Sequence, residues 1–236
     1  MLKIENLTKT YGNKKAVDGL SLHIQKGEIY GFIGHNGAGK TTTLKACCGI
    51  LQFDEGKILI GGKSITQAPL ACKQQLAYIP DNPDLYEFMT GMKYLHFVAD
   101  IYGVSDADRQ ERIEKYGSLL GMTDDLGLKI SACSHGMKQK IALIAALIHA
   151  PRLILMDEPF VGLDPIASHQ LKNVMAEHCA QGGSIFFSTH VLEVAEKLCH
   201  KVAIISGGKL VAYGTMEEVR GQASLEQVFL ELEEKL

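Results

Sequence analysis

The sequence predicts an α/β fold interrupted by a helical insert, and three observations lead there. An apolar run, Ile29-Tyr30-Gly31-Phe32-Ile33, passes through a glycine-rich loop into the helix-forming stretch Leu44-Lys45-Ala46, which is a strand, a loop and a helix. Further apolar runs, Leu76-Ala77-Tyr78-Ile79, Leu153-Ile154-Leu155-Met156 and Ser184-Ile185-Phe186-Phe187-Ser188-Thr189, read as buried strands. Between Asp84 and Ser134 the strand signal disappears and apolar residues recur at helical spacing. A chain of 236 residues is long enough for one large α/β domain or a core with a sizeable insert.

The loop itself, Gly34-His35-Asn36-Gly37-Ala38-Gly39-Lys40-Thr41-Thr42, carries Gly34, Gly39, Lys40 and Thr41 at the spacing of a phosphate-binding loop. Glycines let backbone N–H groups turn inward around phosphates, and the helix N-terminus adds partial positive charge. In such a loop Lys40 reaches the β- and γ-phosphates, and the Thr41 hydroxyl sits on Mg²⁺. The expected ligand is a nucleoside triphosphate.

Taken in order, Leu2–Leu7 reads as an edge-like strand, and Ser21–Gln25 alternates apolar and polar ahead of a Lys26-Gly27 turn. The stretch Thr8-Lys9-Thr10-Tyr11-Gly12 between them reads as a polar loop, with Tyr11 as a platform on which a flat adenine ring could stack. Lys57–Ile60 is a short strand closed by Gly61-Gly62, and Pro80-Asp81-Asn82-Pro83 is a loop leaving the end of the Leu76–Ile79 strand. Thr90 caps a helix with Tyr94, Leu95, Val98, Ile101 and Tyr102 on one face, a stripe read as the core of the insert. Ser105 opens a second, charged helix. Ser134–Lys140 leads into an apolar helix, Ile141–Ile148, ended by Pro151.

Asp157 and Glu158 follow directly on the Leu153–Met156 strand. A carboxylate at the carboxyl tip of a buried strand is well placed to hold Mg²⁺ through water, and its neighbour can polarise an attacking water as general base. Gly162-Leu163-Asp164-Pro165 is a tight turn before a helix at Ala167–Ala180. His190 ends the Ser184–Thr189 strand at the same sheet edge as Asp157, a position near a γ-phosphate. Lys201–Ser206 and Lys209–Tyr213 form a hairpin about Gly207-Gly208, and Ser224-Leu225-Glu226-Gln227 is a capping box opening a last helix with Val228, Phe229 and Leu232 on one face.

A net charge of −3 and a pI near 6.3 give no electrostatic case for nucleic acid as the main partner. The six cysteines show no C-x-x-C spacing and read as small buried apolar residues in a reducing cytoplasm. The N-terminus is not a secretory signal, and no run of about 18 apolar residues is present to span a bilayer. A membrane-spanning step therefore calls for another subunit.

In this order the motifs resemble the nucleotide-binding subunit of an ABC transporter over nearly the whole chain. The resemblance implies a RecA-like P-loop NTPase core with an antiparallel β subdomain and an α-helical insert: one nucleotide-binding domain over residues 1–236, with core at about 1–83 and 151–215, insert at about 84–150 and a helical tail at about 216–236. By that likeness Tyr11 is the adenine-stacking aromatic, Gly34–Thr42 are Walker A and Leu153–Asp157 are Walker B. Glu158 is then the catalytic glutamate, Gly162–Asp164 the D-loop and His190 the switch histidine. The signature segment is Cys133-Ser134-His135-Gly136-Met137 where the family pattern is Leu-Ser-Gly-Gly-Gln. Ser134, His135, Gly136 and Met137 would face ATP bound to a partner copy, with Ser134 and Gly136 supplying the hydroxyl and helix N-terminus. The Ser-x-Gly-Met-x-Gln form and the ending Ser224-Leu225-Glu226-Gln227-Val228-Phe229 are similar to the branch serving ABC-2-type and related bacterial exporters. Asp81 stands where the family usually has a glutamine touching Mg²⁺ and water. It joins Thr41 and Asp157 as an expected metal ligand while adding negative charge beside the phosphates.

The likeness implies an ATPase using ATP and Mg²⁺ to drive transport, with export favoured. Its partners would be a membrane-spanning permease and a second nucleotide-binding subunit, placing it in the cytoplasm on the inner face of the membrane. A regulatory subunit with little turnover, and a non-transport ATPase acting on DNA or ribosomes, remain open beside it.

Overall fold

The computed structural model describes residues 1–234. The chain runs β1 (Leu2–Tyr11), β2 (Lys14–Ile24), β3 (Ile29–Ile33), α1 (Lys40–Cys47), β4 (Glu55–Ile60), β5 (Lys63–Ser64), α2 (Pro69–Lys73) and β6 (Leu76–Ile79). The helical stretch follows as α3 (Gly91–Ile101), α4 (Asp106–Leu119) and α5 (His135–Ile148). The second half of the core is β7 (Leu153–Asp157), α6 (Pro165–Ala180), β8 (Ser184–Thr189), α7 (Leu192–Leu198), β9 (Lys201–Ser206) and β10 (Lys209–Thr215), and the chain closes with α8 (Met216–Arg220) and α9 (Leu225–Glu233).

Two sheets form. The larger has the order β10-β9-β3-β8-β7-β6, parallel throughout except for β10, which returns antiparallel on β9. Its central strands alternate between two cores, which is why they read as unbroken apolar runs. Tyr30, Phe32, Leu153, Leu155 and Phe186 point to one face, where the smaller sheet and α1 cover them. Ile29, Ile33, Ile154, Met156, Ile185 and Phe187 point to the other, under the helices. The smaller sheet is antiparallel in the order β2-β1-β4-β5. The helical stretch lies between β6 and β7 in the chain, and α5, carrying Ile141, Leu143, Ile144 and Ile148, sinks into the helical-side core.

Three expectations are corrected. The strand starting at Leu2 is not an edge: β1 pairs with both β2 and β4. Its alternating sequence reports that one face is wet, and a sheet face can be wet at any place in the strand order. The stretch Thr8–Tyr11 is not a loop either. It continues β1 past an irregularity at Asn6, whose φ is 49°, with Lys9, Thr10 and Tyr11 paired to Val17, Lys15 and Lys14. A bulge lets polar residues stay in the ladder. Helix α5 starts at His135, six residues ahead of the apolar run, because Ser134 caps it by accepting the Met137 N–H at 3.3 Å.

Candidate nucleotide site

The carboxyl ends of β3, β6, β7 and β8 meet at one end of the parallel sheet, and the expected site residues leave from them. In open parallel sheets this is where ligands bind. After Ile33 the chain turns through the glycine loop into α1, whose cap Gly39 has a φ of 113°. A side chain at Gly39 would strike the Ala16 carbonyl, and one at Gly34 the Ile205 carbonyl. The loop is thus pressed against β2 and β9, a fit that only glycine permits.

A cleft of about 350 Å³ opens over this loop, lined by Tyr11, Lys14, Ala16, His35, Asn36, Gly37, Gly39, Lys40, Thr41, Thr42, Asp81, Asp157 and Glu158. Lys40 is buried, and its ammonium donates to the carbonyls of Gly34 at 2.6 Å and His35 at 3.2 Å. It lies 3.5 Å from Glu158 Oε1, an oxygen buried without a hydrogen bond. Thr41 Oγ1 donates to Asp157 Oδ2 at 2.6 Å, tying the phosphate loop to the tip of β7. The other Asp157 oxygen accepts from the Ser188 hydroxyl at 2.5 Å, and the same hydroxyl accepts the Glu158 N–H at 3.1 Å. Glu158 turns at a φ of 48°, a left-handed conformation that non-glycine residues hold only under tertiary constraint. Its Oε2 accepts the His190 N–H at 3.3 Å and lies 3.0 Å from His190 Nδ1. One connected set thus runs from Lys40 through Glu158 to His190, and from Thr41 through Asp157 to Ser188.

Three carboxylates, Asp81, Asp157 and Glu158, face this cleft against two lysines, Lys14 and Lys40. A polyphosphate entering it would bring further negative charge, and a divalent cation offsets that. Thr41 and Asp157 fit Mg²⁺, which binds through a few oxygen ligands shared with substrate phosphates. Tyr11 stands half-exposed at the mouth, with Lys9 Nζ 5.4 Å from its ring centre.

The signature residues lie elsewhere. Ser134 caps α5, His135, Gly136 and Met137 form its first turn, and none of the four lines the cleft. They are tied to the segment after Glu158 instead: the buried Gln139 donates to the Pro159 carbonyl at 3.2 Å, and Lys140 lies 3.3 Å from Asp164. Asp164 caps α6 by accepting the Ala167 N–H at 2.8 Å, and this bond, with Lys140 beside it, holds its carboxyl below the ordinary range.

Sequence reading missed Lys14, Ala16 and Ser188. Ser188 sits inside an apolar strand with no motif about it, and only the β7–β8 register opposite Asp157 reveals its part. The stripe on α3 also behaves differently from expectation. Leu95 is core, but Tyr94, Val98, Ile101 and Tyr102 line an open groove of about 390 Å³ with Pro80, Pro83, Tyr86 and Phe97. A helix of this length buries the face toward α5 and leaves its flank free, a division that apolar spacing alone does not set.

Comparisons with known proteins identify the family. The family model for the ABC transporter matches residues 17–161. The linearmycin resistance ATP-binding protein LnrL of Bacillus subtilis (strain 168) is 35% identical over 93% of this chain and 70% of its own length. The ABC-type transporter ATP-binding protein EcsA of the same organism is 35% identical over 98% of this chain and 96% of its own. A solved ATP-binding subunit of an ABC transporter superposes with a TM-score of 0.95 at 35% identity, covering 99% of each chain. The chain belongs to the ABC transporter family, as an ATP-binding subunit and an ATPase.

Proposed function

We propose that this subunit drives transport, in the outward direction, through a separate membrane-spanning permease, and that it hydrolyses ATP as one of two nucleotide-binding subunits. The observation that carries the reading is the split site. Phosphate loop and acidic pair line one cleft, with the strand-end His190 held on Glu158, while Ser134–Met137 form a helix N-terminus outside it. A second subunit, head to tail, supplies the missing wall. Trans contacts of this kind exist only in the closed dimer, so ATP binding favours closure.

In that dimer Lys40 leaves the carbonyls of Gly34 and His35 for the β- and γ-phosphates, and Tyr11 stacks on adenine. Glu158 takes a proton from the attacking water, and His190, fixed through Glu158, stabilises charge on the γ-phosphate. Thr41, Asp157 and Asp81 would hold Mg²⁺, which when bound would offset the charge that develops on the transferred phosphoryl group.

The residue ranges divide the work. The core at about 1–83 and 151–215 carries the cleft, and the insert at about 84–150 carries the signature and a surface for the permease. Tyr86, Phe88 and Ile101 expose 49, 79 and 64% of their surface on that insert, an apolar patch of the kind that marks a partner site. The Pro80–Leu85 loop spans both regions, with Asp81 in the nucleotide cleft and Pro80 and Pro83 in the aromatic groove. Nucleotide state is thereby linked to the face that meets the membrane. No helix among the described residues is long and apolar enough to cross a membrane. Outward movement is supported by the resemblance to exporter subunits and by a relative named for linearmycin resistance.

The test is to isolate a tagged chain from detergent-solubilised membranes, identify its companion and follow phosphate release from the reconstituted pair. A multi-span companion and release that falls at least tenfold in Glu158→Gln are expected. Native release no faster than that of the variant would make this a regulatory subunit instead.

A further inference from the structure

Helix α9 is fastened at both ends of the nucleotide cleft. Its first turn has a reciprocal cap, Ser224 Oγ accepting the Gln227 N–H at 3.2 Å and Gln227 Oε1 accepting the Ser224 N–H at 3.0 Å. Glu196 of α7 accepts the Leu225 N–H at 3.3 Å and pairs with Arg220 at 2.8 Å. Since α7 begins two residues after His190, which contacts Glu158, this joins α9 to the Glu158 side of the cleft. At the other side, the buried Phe229 meets the His35 ring edge-on, with centroids 4.9 Å apart and planes at 65°. The His35 carbonyl accepts both the Ala38 N–H at 3.1 Å and the Lys40 ammonium at 3.2 Å. The residue that Phe229 touches therefore shapes the turn of the phosphate loop and helps to hold its lysine.

We propose that Phe229 is a positioning residue for nucleotide binding, holding His35 and with it the phosphate loop in the form that receives phosphates. The proposal rests on the nucleotide reading of the cleft. A loop with glycine at three of its first six positions loses much backbone freedom when it is ordered. A side chain that orders it beforehand reduces what binding must supply. The backbone of the loop has an outer tie already, the Gly208 N–H to the Ala38 carbonyl at 3.1 Å, and Phe229 adds a tie at the side-chain level.

The experiment measures ATP affinity and steady-state hydrolysis for the full chain, Phe229→Leu, Phe229→Ala, His35→Ala and the double variants, with Lys40→Ala as control. Phe229→Leu keeps most of the buried apolar volume and removes the ring contact, so it guards against a melted α9. Both Phe229 variants should weaken ATP binding about 3- to 10-fold, the range for losing an aromatic pair. The loss should fall on KM rather than kcat, and it should vanish in the His35→Ala background, because coupled residues are not additive. Native affinity in Phe229→Leu, or the same loss with and without His35, overturns the proposal. Native affinity in Lys40→Ala is a different result, and it removes the nucleotide reading on which the proposal stands.

Discussion

Lys40 is buried with its ammonium among two carbonyls and one carboxylate. An ammonium so placed makes charge-assisted hydrogen bonds, worth about 1.5–3 kcal/mol each. Lys40→Ala should therefore weaken ATP binding by at least about tenfold, read by titration calorimetry. A second residue makes the fold sensitive to acid. His149 stacks on Tyr102 at 3.7 Å, its Nε2 lies 3.2 Å from the Leu76 carbonyl and its Nδ1 is buried without a partner. Burial lowers its pKa from 6.5 to about 4, against the Leu76 bond that raises it and with Arg112 nearby lowering it further. The unfolded chain therefore binds the extra proton first as pH falls. The stability held by neutral His149 is complete above pH 6.5 and is lost as pH falls towards 4. At pH 5 the loss is about 2 kcal/mol. Urea denaturation at pH 7 and pH 5 should show a loss that is smaller by about 2 kcal/mol in His149→Phe than in the native chain, the remainder coming from groups such as the half-buried His178.

At the scale of elements, the starts of α3, α4 and α9 were legible, while those of α5 and α6 were placed late and strand neighbours were not legible. Thr90, Ser105, Asp164 and Ser224 cap α3, α4, α6 and α9, each accepting an N–H three residues on. A cap depends on residues within one turn, so sequence displays it. The place of β1 between β2 and β4 depends on Ile58 and Ile60, more than fifty residues away, and a wet face disguised it as an edge. Ser134 supports a prediction at this scale. As the cap of α5 its loss in Ser134→Ala should cost about 1 kcal/mol, seen as a lowered melting midpoint. Because Ser134 stands outside its own chain's cleft, ATP affinity of the monomer should remain native while hydrolysis by the assembled dimer falls. Weakened binding to the monomer would place Ser134 in the wrong half of the site.

For the whole molecule the consequence is assembly. Glu158→Gln keeps the loop, Thr41 and Asp157, so it should bind ATP yet turn it over slowly, and the closed dimer should accumulate. Light scattering should give twice the chain mass with ATP and one chain mass without it. A variant that stays monomeric at saturating ATP would argue against the head-to-tail site. The insert bears on the same scale. Its exposed Tyr86, Phe88 and Ile101 are the surface to substitute when binding of the proposed permease is measured.

Glycine spacing, the acidic pair after an apolar strand, the strand-end histidine and the caps Thr90, Ser105 and Ser224 were determined by the sequence itself, because each is a short run whose chemistry depends on its own neighbours. The tertiary structure alone decided that Thr41 and Ser188 share Asp157, that the α3 stripe divides between core and open groove, and that Phe229 meets His35 across 194 positions of chain. These depend on which strands lie side by side, and strand order is set by packing between distant segments. No local pattern of polarity or spacing records it.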